Sequence, residues 1–118
     1  MRTIKINREK WLRGGGLSYL WSNDLKKGCC LGHAIHQTQR CSWNELNLLC
    51  DPHQFFKRKI DVLGLTETNR PIYDDTYSSG FTVSAEHIND DATINDTERE
   101  KQLIKLFEQN KIKLEFYN

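Results

Sequence analysis

The strongest constraint on the fold is a change of apolar spacing near Asn110. Before that residue, apolar side chains recur at helical spacing behind residues 95–97, whose polar and acidic side chains suit a helix N-terminus. The apolar residues of this stripe are Leu103, Ile104, Leu106 and Phe107. After it, Ile112, Leu114 and Phe116 alternate with polar residues, as in a half-buried strand. The sequence therefore predicts a helix that ends near Asn110 and leads into a terminal strand.

Shorter patterns predict further elements along the chain. Residues 3–6 and 17–21 alternate as strands do, and residues 81–85 form either a short strand or the approach to a polar turn. A buried helix of two to three turns is expected at 29–36, because its apolar residues share one helical face. Gly28 allows a tight turn before this helix.

A capping box, Ser42 with Glu45 three residues later, predicts another helix. The apolar residues that it is expected to carry are Leu46, Leu48, Leu49 and Cys50. Pro52 is expected to stop it, and residues 51–79 show no clear pattern. Together these elements predict an α+β fold, with a small mixed or antiparallel sheet and two to three helices packed on one face.

Size and composition fit a single domain spanning residues 1–118. Hydrophobic residues make up 37% of the chain and charged residues 28%, which excludes a disordered chain. No run approaches the ~20 apolar residues of a membrane span, and the N-terminal dozen residues lack the apolar block of a secretion signal. We therefore expect a cytoplasmic protein whose cysteines are reduced: Cys29, Cys30, Cys41 and Cys50.

Charge is divided unevenly between the two halves. Residues 1–60 hold eleven Lys and Arg against four Asp and Glu, a balance of +7, whereas residues 61–118 hold six against twelve, a balance of −6. Such a division indicates either an anion-binding face or two halves that pack together and partly neutralise each other.

The leading candidate for a binding site is the Arg-Gly-Gly-Gly sequence at 13–16. Its glycines expose backbone N–H groups beside a guanidinium, between aromatic rings, so the segment can cradle a phosphate and stack a base. The expected ligand-binding residues are Trp11, Arg13, Gly14, Gly15, Gly16 and Tyr19. The segment matches neither the P-loop nor the G-x-G-x-x-G pattern. The alternative is a hairpin loop whose aromatic rings belong to the core.

A second candidate is a metal site. Cys30-x-x-His33 and Cys50-x-x-His53 have the paired spacing of a tetrahedral zinc site. The competing interpretation is that the cysteines are buried thiols, because Cys30 falls on the apolar face of the predicted helix. No resident cofactor is expected under that interpretation, and zinc is the alternative.

Other chemistry has weaker support. A thiolate of Cys29 or Cys30 beside His33 or His36 would suit nucleophilic catalysis, but no known signature accompanies it, so the chain is not expected to be an enzyme. The acidic residues between 90 and 98 lack calcium-loop spacing and are expected to cap a helix. The three-residue basic run 57–59 is short for a nucleic-acid binder.

In combination, the motifs Trp-Leu-Arg-Gly at 11–14, Ser-Tyr-Leu at 18–20 and Cys-Cys-Leu-Gly at 29–32 resemble small bacteriophage proteins of uncharacterised families. The resemblance continues in the closing sequences at 88–91, 99–100 and 106–107, and it leaves 51–79 uncovered. The resemblance identifies no catalytic residue in this chain.

The resemblance implies a phage or prophage origin and, as a hypothesis, an anti-defence protein in the host cytoplasm. Such a protein would inhibit a bacterial defence system by binding a host defence protein or sequestering a phosphorylated small-molecule signal. The alternative is a zinc-stabilised nucleic-acid-binding module.

Overall fold

Two parallel strands bring the beginning and the end of the chain together. The computed structural model describes residues 2–16, 18–63 and 77–118, the side chains of 59–63 excepted. Strand β1 (Arg2–Asn7) pairs with β2 (Ile112–Tyr117). Both strands were predicted and are confirmed. In the described ranges they form the whole sheet, which is parallel and not mixed or antiparallel as expected. The pairing is parallel because the chain crosses over through helices before it returns to the sheet.

Helices cover one face of this sheet. In the described ranges the helices are α1 (Cys30–Thr38), α2 (Trp43–Leu46), α3 (Pro52–Leu63), α4 (Ser79–Asp90) and α5 (Asp96–Gln109). Helix α1 packs against β1, α5 packs against β2, and α4 contacts both of these helices. The α+β class is thus confirmed, with more helices than the two or three expected. No helix of the described residues is both long and apolar enough to cross a bilayer.

The strands alternate as period-2 patterning requires. Their buried residues are Ile4, Ile6, Ile112 and Leu114, which point into the helical layer. The buried apolar side chains of the described residues form one cluster. On the other face of the sheet, Thr3, Lys5 and Lys113 are exposed.

The predicted strand at 17–21 is wrong over its described residues, 18–21. Trp21 makes only an isolated bridge, to Asn47. The Leu20 N–H donates to the carbonyl of Leu49 at 2.7 Å, and the Leu48 N–H donates to the carbonyl of Trp21 at 2.9 Å. The segment therefore runs along the loop after α2 for too short a distance to form a ladder. Leu17 lies outside the described residues.

The predicted capping box is confirmed, but the helix that it opens is shorter than expected. The Ser42 N–H donates to Glu45 Oε2 at 2.9 Å, and the Glu45 N–H donates to Ser42 Oγ at 3.4 Å. Helix α2 ends at Leu46, and Leu48 adopts a left-handed φ of 64° beyond it. Leu48 is consequently 55% exposed and lies outside the core.

Pro52 begins a helix instead of stopping one. It is the first residue of α3, where a backbone N–H would have no partner within the helix, so the ring is tolerated there. The Asp51 carboxylate accepts from the Gln54 N–H at 3.0 Å and caps this first turn. The remainder of the unassigned segment, residues 64–76, lies outside the described residues.

Residues 81–85, predicted as a strand or turn approach, belong to α4. The Ser78 side chain caps this helix by accepting from the Phe81 N–H at 3.5 Å. Its buried residues, Phe81, Ala85 and Asn89, recur every four positions. The third, Asn89, is polar, so the apolar residues alone do not show a helical repeat in this segment.

Helices α1 and α5 are confirmed near their predicted bounds. The Asn95 side chain caps α5 by accepting from the Glu98 N–H at 2.8 Å. Helix α1 passes close to the backbone of the preceding segment at Gly32. A Cβ at Gly32 would lie 1.7 Å from the carbonyl oxygen of Leu20. Glycine is therefore required by close packing, even though it weakens a helix interior.

We expect Gly32→Ala to lower the free energy of unfolding by more than about 3 kcal/mol, since the added methyl group overlaps main-chain atoms that cannot move independently. Gly80→Ala is the matched control, because Gly80 also lies in a helix and its Cβ would meet no atom within 4 Å. That change should raise stability by about 0.5–1 kcal/mol. Urea unfolding followed by tryptophan fluorescence measures both, and equal effects would contradict the close approach.

Candidate binding site

The Asn89 side chain joins three separate segments in the interior. Its Oδ1 accepts from the indole Nε1 of Trp11 at 2.8 Å and from the Cys30 N–H at 3.0 Å. Its Nδ2 donates to the carbonyl of Leu12 at 2.9 Å and to Ser18 Oγ at 3.4 Å. Asn89 is 0% exposed, so these bonds satisfy polar groups that would otherwise be buried without partners.

Arg99 lies beneath the glycine loop and is 3% exposed. Its guanidinium donates to the carbonyls of Ile88, Asp91 and Ile94, at 2.9, 2.6 and 2.9 Å. The cation thereby binds a main-chain carbonyl at the C-terminal end of α4, where the helix dipole favours positive charge, and two carbonyls in the loop before α5. A Cβ at Gly14 would approach Arg99 Nη2 to 3.1 Å, and Gly14 has a φ of +72°. A glycine is therefore suited to this position on both grounds.

Arg13, the cation of the predicted anion site, is bonded within the chain. Its Nη2 and Nε donate to Asp96 Oδ2 at 2.9 and 3.2 Å. Its Nη1 donates to the carbonyls of Arg8 and Trp11 at 2.9 and 2.8 Å. The guanidinium also lies over the Trp11 ring, 4.6 Å from the centroid. An anion at Arg13 would compete with the Asp96 carboxylate.

The polar groups of Trp11, Gly14 and Gly16, which belong to the same predicted site, are bonded within the chain. The N–H groups of Gly14 and Gly16 donate to the carbonyls of Asn89 and Asp90, at 2.8 and 3.0 Å. Trp11 is 1% exposed and its ring packs on Phe116. Gly15 is exposed and Tyr19 is half-buried. Ligand binding by this loop stays a prediction. The N–H groups of Gly14 and Gly16 and the ring of Trp11 make contacts within the fold.

An acidic cavity of about 530 Å³ adjoins the loop; its lining residues are Gly16, Glu86, His87, Asp90 and Asp91. Burial raises the pKa of Glu86 to about 7, and the nearby carboxylates of Asp51 and Asp90 add to the shift. The Glu86 Oε1 atom is buried without a hydrogen-bond partner among the described residues. Three carboxyl groups make this cavity unfavourable for a phosphate.

The cysteines near the start of α1 are buried thiols. Cys29 is 4% exposed and Cys30 is 0% exposed. Burial raises the pKa of Cys29 to about 12 and that of Cys30 well above its ordinary value. Both thiols therefore stay protonated at neutral pH, which disfavours a cysteine nucleophile.

The four residues of the zinc hypothesis differ in their surroundings. His33 Nε2 donates to the carbonyl of Lys10 at 2.8 Å, and burial lowers the pKa of His33 to about 4. Cys30 is fully buried, whereas Cys50 is half-buried and His53 is exposed. Across the described residues, no three His, Cys, Asp or Glu side chains converge in a group that could hold a metal ion. The geometry therefore gives the zinc hypothesis no support.

A basic and aromatic cleft of about 250 Å³ lies elsewhere on the molecule, where β1, β2 and α1 meet the loop before α2. Its lining residues are Lys5, Asn7, Lys10, His33, His36, Gln37, Trp43 and Tyr117. None of them is an acid. They come from separate parts of the chain, so no local motif marks the cleft, although the excess of bases in residues 1–60 is a signal for it.

Trp43 is held rigidly at the edge of this cleft. The Trp21 ring lies 4.0 Å from it at 21°, and the His36 ring lies 3.8 Å from it at 14°. Two nearly parallel rings at these distances would overlap if they shared one face, so they lie on opposite faces of Trp43. The His36 Nδ1–H donates to the carbonyl of Cys41 at 2.7 Å, which fixes the orientation of the imidazole. Tyr117, by contrast, is 48% exposed.

Comparison with known proteins gives no relative: no family model, curated protein or solved structure matches the chain. The functional argument accordingly rests on the geometry of the sites described above.

We expect Asn89→Ala to lower the free energy of unfolding by about 3 kcal/mol or more. The change leaves the Trp11 indole N–H and the Cys30 N–H buried without an acceptor, at about 1–3 kcal/mol each. Asn44→Ala is the control, because Asn44 is exposed and its Oδ1 accepts only an exposed bond from Asn23. Urea unfolding should show less than about 1 kcal/mol for the control. Comparable losses in both variants would refute the role given to Asn89.

We expect Glu86→Gln to stabilise the protein increasingly between pH 5 and pH 8. The folded pKa of about 7 exceeds the ordinary value of 4.5, so folding favours the protonated carboxyl and stability falls as the pH rises through that interval. Glutamine mimics the protonated form and removes this fall. His33, whose pKa is lowered, acts in the opposite direction from pH 4 to 6.5 in both proteins and cancels in the difference. A difference in unfolding free energy that does not change with pH would contradict the prediction.

Proposed function

We propose that this protein is a phage accessory binding protein without enzymatic activity, which sequesters a small phosphorylated molecule in the basic and aromatic cleft. The observation that carries the proposal is the lining of that cleft. Two lysines, Lys5 and Lys10, and the half-buried His36 lie with two aromatic residues around one cavity that no acid lines.

Electrostatics favour an anion in this cleft over the other cavities. Lys5 and Lys10 are both exposed, and within the described ranges neither forms an ion pair with an acid. Clustered ammonium groups raise the local potential and hold phosphate as point charges. Glu115, opposite Lys5 in the ladder, is already paired with Lys113 at 3.3 Å. The cavity beside Gly16 instead has three carboxyl groups and repels anions.

The aromatic residues suit the non-phosphate part of such a ligand. Both faces of Trp43 are occupied within the chain, so it offers a rigid edge to the cleft and not a stacking surface. Tyr117 is nearly half exposed and presents a ring on which a base can stack. A phosphate near the lysines and a base near Tyr117 is the arrangement expected for a nucleotide.

The biological setting is a proposal that rests on the resemblance to small phage proteins. A cytoplasmic binder of a nucleotide signal would deprive a host defence system of its activator. The same basic surface would also attract an acidic patch on a host defence protein, and the two versions differ in whether a small phosphorylated molecule alone binds.

We expect inorganic pyrophosphate, nucleoside diphosphates, cyclic nucleotides or ADP-ribose derivatives to raise the melting temperature of the wild type. A ligand at 100 times its dissociation constant adds about 2.7 kcal/mol, and the effect should weaken with added salt. Lys10→Glu should abolish the shift. The main-chain bond of Lys10 to His33 is unaffected by this change, so the fold should be retained.

Lys105→Glu is the matched control, since it makes the same charge change on an exposed position of α5 away from the cleft. It should keep the thermal shift. Tyr117→Ala should reduce the response to nucleotides more than the response to pyrophosphate. The proposal fails if no phosphorylated molecule stabilises the wild type, or if Lys10→Glu and Lys105→Glu respond alike. If the protein binds only a host protein, the proposal that it sequesters a small phosphorylated molecule is wrong.

A further inference from the structure

The two outer edges of the sheet differ in whether a side chain of the protein forms hydrogen bonds with them. At the edge of β1, the Lys5 N–H donates to Gln37 Oε1 at 3.0 Å, and Gln37 Nε2 donates to the Lys5 carbonyl at 2.7 Å. A side chain of α1 thus occupies the position that a neighbouring strand would take. This contact blocks edge-to-edge pairing at β1.

Among the described residues, no strand or side chain forms a hydrogen bond with the outer edge of β2, although Ile112 and Leu114 are themselves buried. Because the N–H and carbonyl of Lys5 point away from β2, those of Ile4 and Ile6 point toward it. In a parallel ladder a residue bonds to the two neighbours of the residue opposite it, and Ile4 lies opposite Leu114. Lys113 and Glu115 therefore bond to β1, and Leu114 directs its own N–H and carbonyl to the outer edge. Ile112 and Phe116 share that direction.

Space lies beside this edge. Residues of α5 and β2 together line a groove of about 270 Å³; they are Ile104, Glu108, Ile112, Lys113 and Leu114. Ile104, on α5, is 38% exposed. In the described part of the chain no strand pairs with the outer edge of β2.

We infer that β2 pairs with β2 of a second copy, antiparallel about a two-fold axis at Leu114, so that two copies share a four-stranded sheet. In this register Leu114 exchanges both main-chain hydrogen bonds with its counterpart, and Ile112 does so with Phe116 of the second copy. Ile112, Leu114 and Phe116 direct their N–H and carbonyl groups to the outer edge, and this register joins these same residues by hydrogen bonds. The interface is isologous and therefore closes as a dimer.

Charge selects this register over its neighbours. With the axis at Leu114, Lys113 lies opposite Glu115 of the second copy, and by symmetry the pair occurs twice. An axis at Lys113 would place Lys113 opposite itself, and an axis at Glu115 would place two carboxylates together. Opposite charges across a ladder stabilise it and like charges weaken it. The side chains of Lys113 and Glu115 are 63% and 40% exposed, so both are accessible to a second copy.

The inference predicts a charge-dependent dimer in sedimentation equilibrium at sub-millimolar concentration. Lys113→Glu turns both cross-strand pairs into repulsive ones and should raise the dissociation constant about tenfold or more. The exchange variant Lys113→Glu/Glu115→Lys restores opposite charges across the axis and should recover most of the affinity. Lys105→Glu, with the same change in net charge as the single variant, should dimerise as the wild type does.

Hydrogen exchange followed by NMR tests the register directly. The amides of Ile112, Leu114 and Phe116 should become protected as the concentration rises, because only the second copy supplies their acceptors. The amides of Lys113 and Glu115 bond to β1 and should be protected at every concentration. Melting curves of dilute samples separate loss of the fold from loss of pairing, since Glu115 also lies opposite Lys5 in the ladder.

A wild type that remains monomeric at sub-millimolar concentration would overturn the inference. So would a dimer in which the exchange variant is no tighter than Lys113→Glu, or in which the three outward-facing amides exchange at the same rate at all concentrations. These measurements report association of the protein with itself and not ligand binding in the cleft, so they test the inference separately from the proposed function.

Discussion

One buried amide joins several segments of the fold. Asn89 lies at the end of α4, and its side chain accepts from Trp11 and Cys30 while it donates to Leu12 and Ser18. In a water-excluded interior each of these bonds is costly to lose, because the group left behind has no other partner. An aspartate would lack the donors of Nδ2, and an aliphatic residue would lack all of these bonds. The Asn89 side chain therefore helps to fix the segment before α1 against the start of α1 and the end of α4, together with the main-chain bonds from Gly14 and Gly16.

The excess positive charge of residues 1–60 is partly neutralised by acids of the second half of the chain. Arg8 pairs with Glu100, Arg13 pairs with Asp96, and buried Arg99 binds main-chain carbonyls of its own half. Partial neutralisation of one half by the other is thus confirmed as one consequence of the asymmetry. The pairing is incomplete, because Lys5 and Lys10 have no acidic partner within the described ranges. The donors of the arginine and glycine segment are bonded within the chain. We therefore propose the cleft lined by Lys5 and Lys10 as the anion-binding site.

Sequence patterning predicted the elements whose signals are local. Helix α5, β2, the capping box at Ser42 and the buried start of α1 each follow from neighbouring residues. Helix α4 was missed because its third buried position, Asn89, is polar and its partners are about 60 to 80 positions away in the sequence. The prediction that Pro52 stops a helix is wrong because a proline also suits the first turn of one. The excess of bases in residues 1–60 indicates an anion-binding surface, but the position of the cleft could not be predicted, since its residues meet only after β1 and β2 pair. For the same reason the sequence could not show that Asp96 and the carbonyl of Asn89 would occupy the donors of Arg13 and Gly14.

The unequal edges of the sheet connect the fold to both proposals. Gln37 lines the basic cleft and also blocks the edge of β1, so the cleft and an additional strand at that edge exclude each other. The inferred pairing with a second copy therefore takes place at β2. A two-fold axis perpendicular to the sheet keeps the faces of both copies on one side, because antiparallel strands in one sheet share their faces. The exposed face that carries Lys5 and Tyr117 would then be presented twice on the same side of a dimer. Two anion sites on one face would raise the avidity for any ligand that carries phosphate at both ends, without a further contact in either cleft.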